Sequence, residues 1–512
     1  MFYKSTRNSN VKITSAEAIT QGISSDGGLF VPESIPSISF EEIEKLSKMS
    51  YADRAFEVFR KYLTDFTDAE IHYCTDNAYS TKNFDTENIA EIAHLFDGTY
   101  MLELWHGPTC AFKDMALQIL PYFLTTSAKK INLDKKIVIL VATSGDTGKA
   151  ALEGFKDVEG TQILVFYPEQ GVSPMQKRQM TTQEGENVGV CAIKGNFDDC
   201  QNGVKAIFTD NTVKAELDKN SMMFSSANSI NWGRLVPQIV YYVSSYASLV
   251  ADGEIKMGDN INVVVPTGNF GNILAAYYAK HMGVPIAKLI CASNINNVLT
   301  DFINTGVYDR NRQFHATCSP SMDILISSNL ERLLYLLTGE NDSQIKEWFG
   351  QLAETGKYEV NDDVRKVLKS EFYAGFCDDD DTKKTIHDIY AKYSYTCDTH
   401  TAVAVKVYQD YKNETGDTTK TVIASTASPY KFSASVLEAV EGKKSSLDEY
   451  DMIDRLNELS KLDVPASLAS LKTKERRFND SIEKSDMSLM SLYAIADLHL
   501  SFGVPEKTMS VF

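Results

Sequence analysis

The chain has 512 residues, 43% of them hydrophobic and 23% charged, enough for about three domains with ordinary folded cores. Its 51 basic and 69 acidic side chains leave a formal charge of −18, which disfavours nucleic acid and anionic membrane as long-range partners. The 8 cysteines and 8 histidines are scattered, without C-x-x-C or H-E-x-x-H spacing, so neither a metal enzyme nor a disulfide framework is expected.

Residues 1–10 carry no apolar signal core, and the expectation is a chain without a secretory signal. Apolar runs such as Ile137 to Ala142 are far too short to cross a bilayer, and a cytoplasmic protein is expected. Up to about residue 95, helical patterns alternate with polar turns. Phe40 to Lys48 and Tyr51 to Leu63 repeat apolar residues at helical spacing. Ser25-Asp26-Gly27-Gly28 is a turn entering the short apolar run Leu29 to Val31.

From Lys135 the pattern changes. Ile137 to Val141 is a β-branched run followed by a Gly-rich turn and a helical stretch from Lys149. Gln162 to Phe166, Val188 to Ile193, Asn262 to Val265, Lys288 to Cys291 and Thr421 to Ala424 are further candidate strands, and Asn272 to His281 is a candidate helix. Short, wholly apolar strands alternating with helices predict an α/β class with parallel sheets covered on both faces. Ligands are then expected at the C-terminal ends of the strands. The four acids Asp378 to Asp381 read as a solvated loop, and the charged tail from Ser445 reads as a helical packing appendage.

Three strand-to-helix turns can carry chemistry. Thr143-Ser144-Gly145-Asp146-Thr147-Gly148-Lys149 is not a nucleotide P-loop, because Thr143 and Ala150 break the motif at both ends. Its hydroxyls and backbone N–H groups suit a carboxylate or a phosphate. A plain capped turn remains the alternative. Gly268-Asn269-Phe270-Gly271-Asn272 lacks the dinucleotide spacing, but its glycines and the helix N-terminus behind it fit a single phosphate monoester. Ala424-Ser425-Thr426-Ala427-Ser428-Pro429 offers several hydroxyls at a strand end; a helix cap is the plainer reading. Lys113, beside Ala111, Phe112 and Met115, is a candidate desolvated amine, and such an amine is able to form a Schiff base. An exposed lysine at a helix start is the plainer reading here too. The separate phosphate cradle shifts the balance, because a phosphate-bearing aldehyde cofactor needs both parts.

Taken in order, the motifs resemble threonine synthase of the longer bacterial and fungal type, within the fold type II pyridoxal-phosphate enzymes. The resemblance runs from Tyr3 to Arg7 and Asp26 to Leu29, through His106 to Asp114 and Ser144 to Gly148. It continues through Asn228 to Arg234, Gly268 to Asn272, Ser319 to Ile324 and His400 to Val403. It implies two open, parallel-type sheets flanked by helices, an N-terminal extension and a helical C-terminal appendage. The expected divisions are residues 1–95; 96–135 with 230–440 as the large cofactor-binding part; 136–229 as the small α/β part; and 441–512. It further implies that Lys113 carries pyridoxal 5′-phosphate and later moves protons. Gly268, Asn269, Phe270, Gly271 and Asn272 would hold the cofactor phosphate, and Thr426 would face its ring nitrogen. Thr143, Ser144, Asp146 and Thr147 would receive the substrate α-carboxylate, while Asn228, Ser229 and Arg234, with Thr147, would hold the substrate phosphate. The implied reaction converts O-phosphohomoserine and water to L-threonine and phosphate, in a monomer or homodimer.

Two positions depart from the family pattern. Shorter, plant-type members have Asn where this chain has Asp146; a carboxylate there would repel a substrate carboxylate unless protonated or turned away. Cys110 replaces an expected Leu and reads as a packing change. The competing readings are a related lyase that stops at a keto acid and a non-catalytic metabolite-binding regulator. Arg234 and the Ser319 to Ile324 stretch favour the synthase, and the intact lysine and phosphate loop weigh against the regulator.

Overall fold

The computed structural model describes residues 1–96, 98–143, 145–169 and 172–496. The chain opens with a small antiparallel sheet in the order Asn8–Ile13, Tyr3–Ser5, Phe30–Pro32. The helices Phe40–Leu46, Tyr51–Tyr62 and Asp68–Ala78 follow. Each starts where a hydroxyl accepts from a backbone N–H: Ser39, Ser50 and Thr67. Phe59, on the buried face of the second helix, meets Phe123 edge to face at 5.0 Å.

Two larger sheets build the α/β body. The six-stranded sheet runs Phe372–Phe376, Ile286–Ser293, Ile261–Pro266, Thr421–Ser425, Thr99–Glu103, Glu91–Phe96. All its neighbours are parallel except the last pair. Ile261–Pro266 and Thr421–Ser425 are buried at every position, as expected of strands covered on both faces. The five-stranded sheet is parallel throughout, in the order Ser481–Glu483, Val188–Lys194, Thr161–Pro168, Lys136–Ala142, Met222–Ser225. Between the two sheets in sequence runs the helix Trp232–Ala251, almost wholly buried. No described helix is long and apolar enough to cross a membrane.

Each predicted strand and helix named above has a counterpart displaced by a residue or two at its ends, the usual limit set by fraying, except the helix read from Lys149, which starts three residues earlier at Asp146. The structure differs elsewhere. Glu91–Phe96, which the sequence reading leaves mostly in the N-terminal part, pairs with Thr99–Glu103 as the antiparallel edge of the large sheet. Its mixed polar and apolar residues carry no core signal because an edge strand is only half covered. The C-terminal segment is mainly helical, yet it lends Ser481–Glu483 to the small sheet. The acidic run is not a loop. Asp378 caps the helix Asp379–Tyr393, and its side chain accepts from Asp381 N. Acids in a first turn face the positive end of the helix dipole, so the charge run that looks like solvated loop is a helix start.

The strand orders create two crevices. In the large sheet the chain moves from Ile261–Pro266 to Ile286–Ser293 on one side, with Thr421–Ser425 on the other. In the small sheet Lys136–Ala142 lies between Thr161–Pro168 and Met222–Ser225. At such reversals neighbouring loops part, and α/β folds bind ligands there. The loops that follow these strands are the turns after Pro266, Ser425, Ala142 and Ser225.

Candidate active site

Lys113 sits on a turn locked from within. The buried Asp114 carboxyl accepts from Thr109 N at 2.8 Å and Thr109 Oγ1 at 2.7 Å. A Cβ on Gly107 would lie 2.5 Å from Asp114 Cβ, so the turn closes only around glycine. Burial pushes the Asp114 carboxyl up to about 6, with the Thr109 bonds pulling the other way. The turn is also stitched to the third strand-end loop. Phe112 N donates to Thr426 O at 2.8 Å, and Ser428 N donates to Cys110 O at 3.0 Å. Thr426 is thereby brought beside the lysine. Cys110 is buried with φ 58°, and burial lifts its thiol to about 12, so it is an inert packing group.

The Lys113 amine is 9% exposed as a residue and donates to Ser321 Oγ at 3.1 Å. Ser321 is held in turn, its N–H donating to His400 Nε2 at 3.1 Å. That bond makes Nε2 an acceptor and leaves the proton on Nδ1, which faces the buried Asp398 Oδ2 at 2.7 Å. Burial holds the Lys113 amine below its ordinary value. Asp146 opposes this, while Lys431 and Arg234 add to it by repulsion.

Asp146 begins the helix Asp146–Phe155, after the small-sheet strand Lys136–Ala142. Its Oδ1 lies 2.8 Å from Lys431 Nζ and accepts from Gln176 Nε2 at 3.0 Å; its Oδ2 lies 3.6 Å from Lys113 Nζ. Burial alone would raise this carboxyl, but Lys431 and Lys113 hold it far below the usual carboxylate range. The departure at this position therefore carries an ionised acid, engaged by cations. Thr143 Oγ1 accepts from Gly145 N at 3.0 Å and Gly148 N at 2.9 Å, which shapes the same loop. Gly145, at φ 149°, packs on the Gln176 amide, where a Cβ would stand 2.4 Å away. Thr147 is half-buried, and Ser144 lies outside the described residues.

Arg234 lies in the first turn of the long helix and is 5% exposed. It donates to Ala227 O at 2.6 Å, and no carboxylate of the described residues pairs with it. Burial pulls its guanidinium down to about 10. Burying an unpaired cation is costly unless an anion is to arrive. Asn228 is exposed and Ser229 half-buried, with Ser229 Oγ 3.4 Å from Ser328 Oγ. Arg332, fully buried, donates to Ile230 O, Asn329 Oδ1 and Phe30 O. Asn329 in turn donates to Asn269 O through its side chain at 3.1 Å and its backbone N at 3.0 Å. One arginine thus braces both the turn after Ser225 and the turn after Pro266.

The turn after Pro266 has the form of a phosphate cradle. Phe270 takes φ 62° as the cap of the helix Gly271–Met282. Gly268 approaches Ser321 O so closely that a Cβ would be 2.7 Å from it. Asn272 Oδ1 accepts from Tyr241 OH at 2.7 Å and from Tyr242 OH, which orients the amide. Asn272 Nδ2 is buried and bonds to no described group. A helix N-terminus, a glycine-lined turn and an orphan amide donor fit a phosphate monoester. A desolvated lysine close by fits the aldehyde of the same molecule.

Lys113, Thr426, Gly268 to Asn272, Thr143, Asp146 and Arg234 are therefore gathered around two facing strand-end crevices. The sequence reading misses Lys431, Gln176, Asp398 and Arg332, and it quotes Ser321 and His400 within motifs without giving them roles. Lys431 had a signal: a lone lysine two residues past Pro429, at the end of a buried strand. Arg332 had none, since its partners are backbone carbonyls distant in sequence.

The architecture and the lysine site define a pyridoxal-phosphate class. Residues 93–361 match the family described as pyridoxal-phosphate dependent enzyme. Residues 2–79 match threonine synthase N terminus, and residues 401–491 match threonine synthase, C-terminal. Threonine synthase of Saccharomyces cerevisiae is 37% identical over 514 residues, covering 95% of this chain and 96% of that protein. Human threonine synthase-like 1 is 41% identical over 439 residues, 84% of this chain. The chain spans only 58% of that human relative's length and 62% of its mouse counterpart's. The crystal structure of pyridoxal-phosphate-bound threonine synthase from Brucella melitensis superposes with a TM-score of 0.86 at 34% identity, covering 98% of this chain and 100% of that one. The chain belongs to the threonine synthase family.

Proposed function

We propose that the chain converts O-phosphohomoserine and water to L-threonine and phosphate, using pyridoxal 5′-phosphate carried on Lys113. The observation that carries this reading is a buried lysine of lowered proton affinity placed between an anion cradle with an orphan donor and a buried arginine without a counter-ion among the described residues. Membership of the threonine synthase family supports it. When bound, the cofactor supplies an electron sink for negative charge on the substrate carbons.

The protein's own groups then have distinct tasks. Gly268 to Asn272 hold the cofactor phosphate through backbone N–H groups and Asn272 Nδ2. Thr426 would face the ring nitrogen. Lys113 would serve as the base that takes the proton from the substrate Cα. Thr143, Ser144, Asp146 and Thr147 form the loop that meets the α-carboxylate, with Lys431 countering the Asp146 charge. Arg234, with Asn228, Ser229 and Thr147, grips the substrate phosphate; its planar fork suits bidentate contact. Arg332 keeps the two phosphate-facing turns in register. A cytoplasmic site of action belongs to the same proposal, supported by eight cysteines that are all free. Action as a monomer or homodimer belongs to it as well.

The test is product analysis with O-phosphohomoserine. Threonine and inorganic phosphate are expected, whereas 2-oxobutyrate and ammonia would assign a lyase. Purified protein should absorb in the near-visible region through the lysine-bound cofactor, and Lys113→Ala should lose both that band and turnover. Full turnover by Lys113→Ala would refute the assignment.

A further inference from the structure

Among the described residues, Asp146 is the one carboxylate in ion-pair reach of any of the site's three buried cations, Lys113, Lys431 and Arg234. Asp146 is 2.8 Å from Lys431 and 3.6 Å from Lys113, and neither it nor another described acid pairs with Arg234. Two lysines thus compete for one counter-ion, and the geometry favours Lys431. The Lys431 side chain is 0% exposed and is anchored separately, donating to Thr109 O at 2.8 Å on the very turn that bears Lys113. Gln176 donates to the same Asp146 oxygen that faces Lys431, which draws the carboxylate further to that side. As a mere brace the pair would be a poor choice. Burying two charges costs about as much as their attraction returns, and apolar residues would hold the loops as well.

We infer that Lys431 is a positioning residue for Lys113: by holding the Asp146 carboxylate 2.8 Å away it draws that acid off the Lys113 amine, which is left 3.6 Å from it and free to act as a nucleophile. The inference rests on the reading of Lys113 as the cofactor lysine. The groups facing Lys113 come from four elements. They are Asp146 at the start of its helix, Lys431 after the Thr421–Ser425 strand, Arg234 on the long helix and the Ser321 hydroxyl on the Pro320–Met322 turn. The adjacent Asp114 is turned to Thr109. Burial weighs most on Lys113, Lys431 and Arg234 act in the same direction, and Asp146 alone favours the charged form. Removing Lys431 would both delete a repelling cation and release the acid toward Lys113.

The experiment follows cofactor loading, not turnover. Protein stripped of cofactor is mixed with pyridoxal 5′-phosphate between about pH 6 and pH 10, and the near-visible absorbance gives the loading rate. Lys431→Met should move the pH midpoint of loading upward by about one unit or more, slowing loading at neutral pH by about tenfold. Asp146→Asn added to Lys431→Met should bring the rate back to within about threefold of the unsubstituted protein. A merely structural Lys431 would lower thermal stability and leave the midpoint unmoved; an unmoved midpoint in folded Lys431→Met overturns the inference. Should that variant not fold, two variants at Asp146 decide, the second of them charge-balanced. Asp146→Asn should shift the midpoint downward, and Asp146→Asn/Lys431→Gln should lie above it; coincident profiles overturn the inference. Failure of the unsubstituted protein to load at any pH would instead overturn the cofactor assignment, and this inference with it.

Discussion

Replacing Arg234 by methionine separates substrate recognition from stability. The guanidinium is 5% exposed and donates to Ala227 O at 2.6 Å, with no carboxylate partner among the described residues. Its loss leaves one carbonyl short of a donor, which costs about 1–3 kcal/mol. It also removes an unpaired buried charge. Burial pulls that guanidinium down to about 10, a destabilisation of about 3 kcal/mol. The two effects oppose each other, so the net change is about 0–2 kcal/mol toward stability and Tm moves by only a few degrees. A substrate phosphate tells a different story. Two charge-assisted hydrogen bonds at about 1.5–3 kcal/mol each amount to at least about 3 kcal/mol, or a hundredfold in kcat/KM. Steady-state phosphate release from O-phosphohomoserine, paired with a thermal melt, measures both. A kcat/KM within threefold of the unsubstituted protein, with the fold intact, would refute the placement of the substrate phosphate on Arg234.

Gly268→Ala should weaken cofactor retention by about tenfold or more, because its Cβ would meet Ser321 O at 2.7 Å and displace the turn that receives Lys113; equilibrium dialysis against pyridoxal 5′-phosphate measures this. Gly154→Ala places a Cβ 2.0 Å from Leu117 O, forcing the Asp146–Phe155 helix off the short helix Asp114–Leu117 that follows Lys113. About 1–3 kcal/mol of stability should be lost in denaturant unfolding. His106 is held above its ordinary value, at about 9. Burial lowers it, but the bonds to Asp85 at 2.7 Å and Glu103 at 3.0 Å outweigh burial. A raised folded-state value means that the protonated form stabilises the fold in full below about pH 6.5, and that this stability is lost as pH rises through about 9. The contribution is at most about 3 kcal/mol, and His106→Gln should flatten that portion of the Tm profile; an unchanged profile would show that the two carboxylates do not act on His106.

Much of the fold was legible because burial is written into local composition. Ile137 to Val141 and Asn262 to Val265 are continuous apolar runs, and only a strand covered on both faces needs them. Glu91–Phe96 and Ser481–Glu483 were not legible, since a half-covered edge strand makes no such demand. The acidic run at Asp378 misleads for a related reason: four acids look like solvated loop until the helix that they open supplies its dipole.

The α/β alternation and the glycine turn at Gly268 to Asn272 could be read from the chain alone, because each depends on residues close together in it, and Lys113 became a candidate through the company of that distant turn. The ordered motifs of the sequence also marked the family. Only the tertiary structure decided the electrostatics. Whether Lys113 holds a proton depends on Asp146, Arg234 and Lys431, which come from three separate parts of the chain and meet only when two sheets place their strand ends face to face. The Asp146 departure shows the point most clearly. In the sequence it is an acid where a carboxylate is due to bind; in the fold it is the counter-ion of a lysine 285 positions away in the numbering from 146 to 431, and no spacing rule reports a contact made by the folding of the chain.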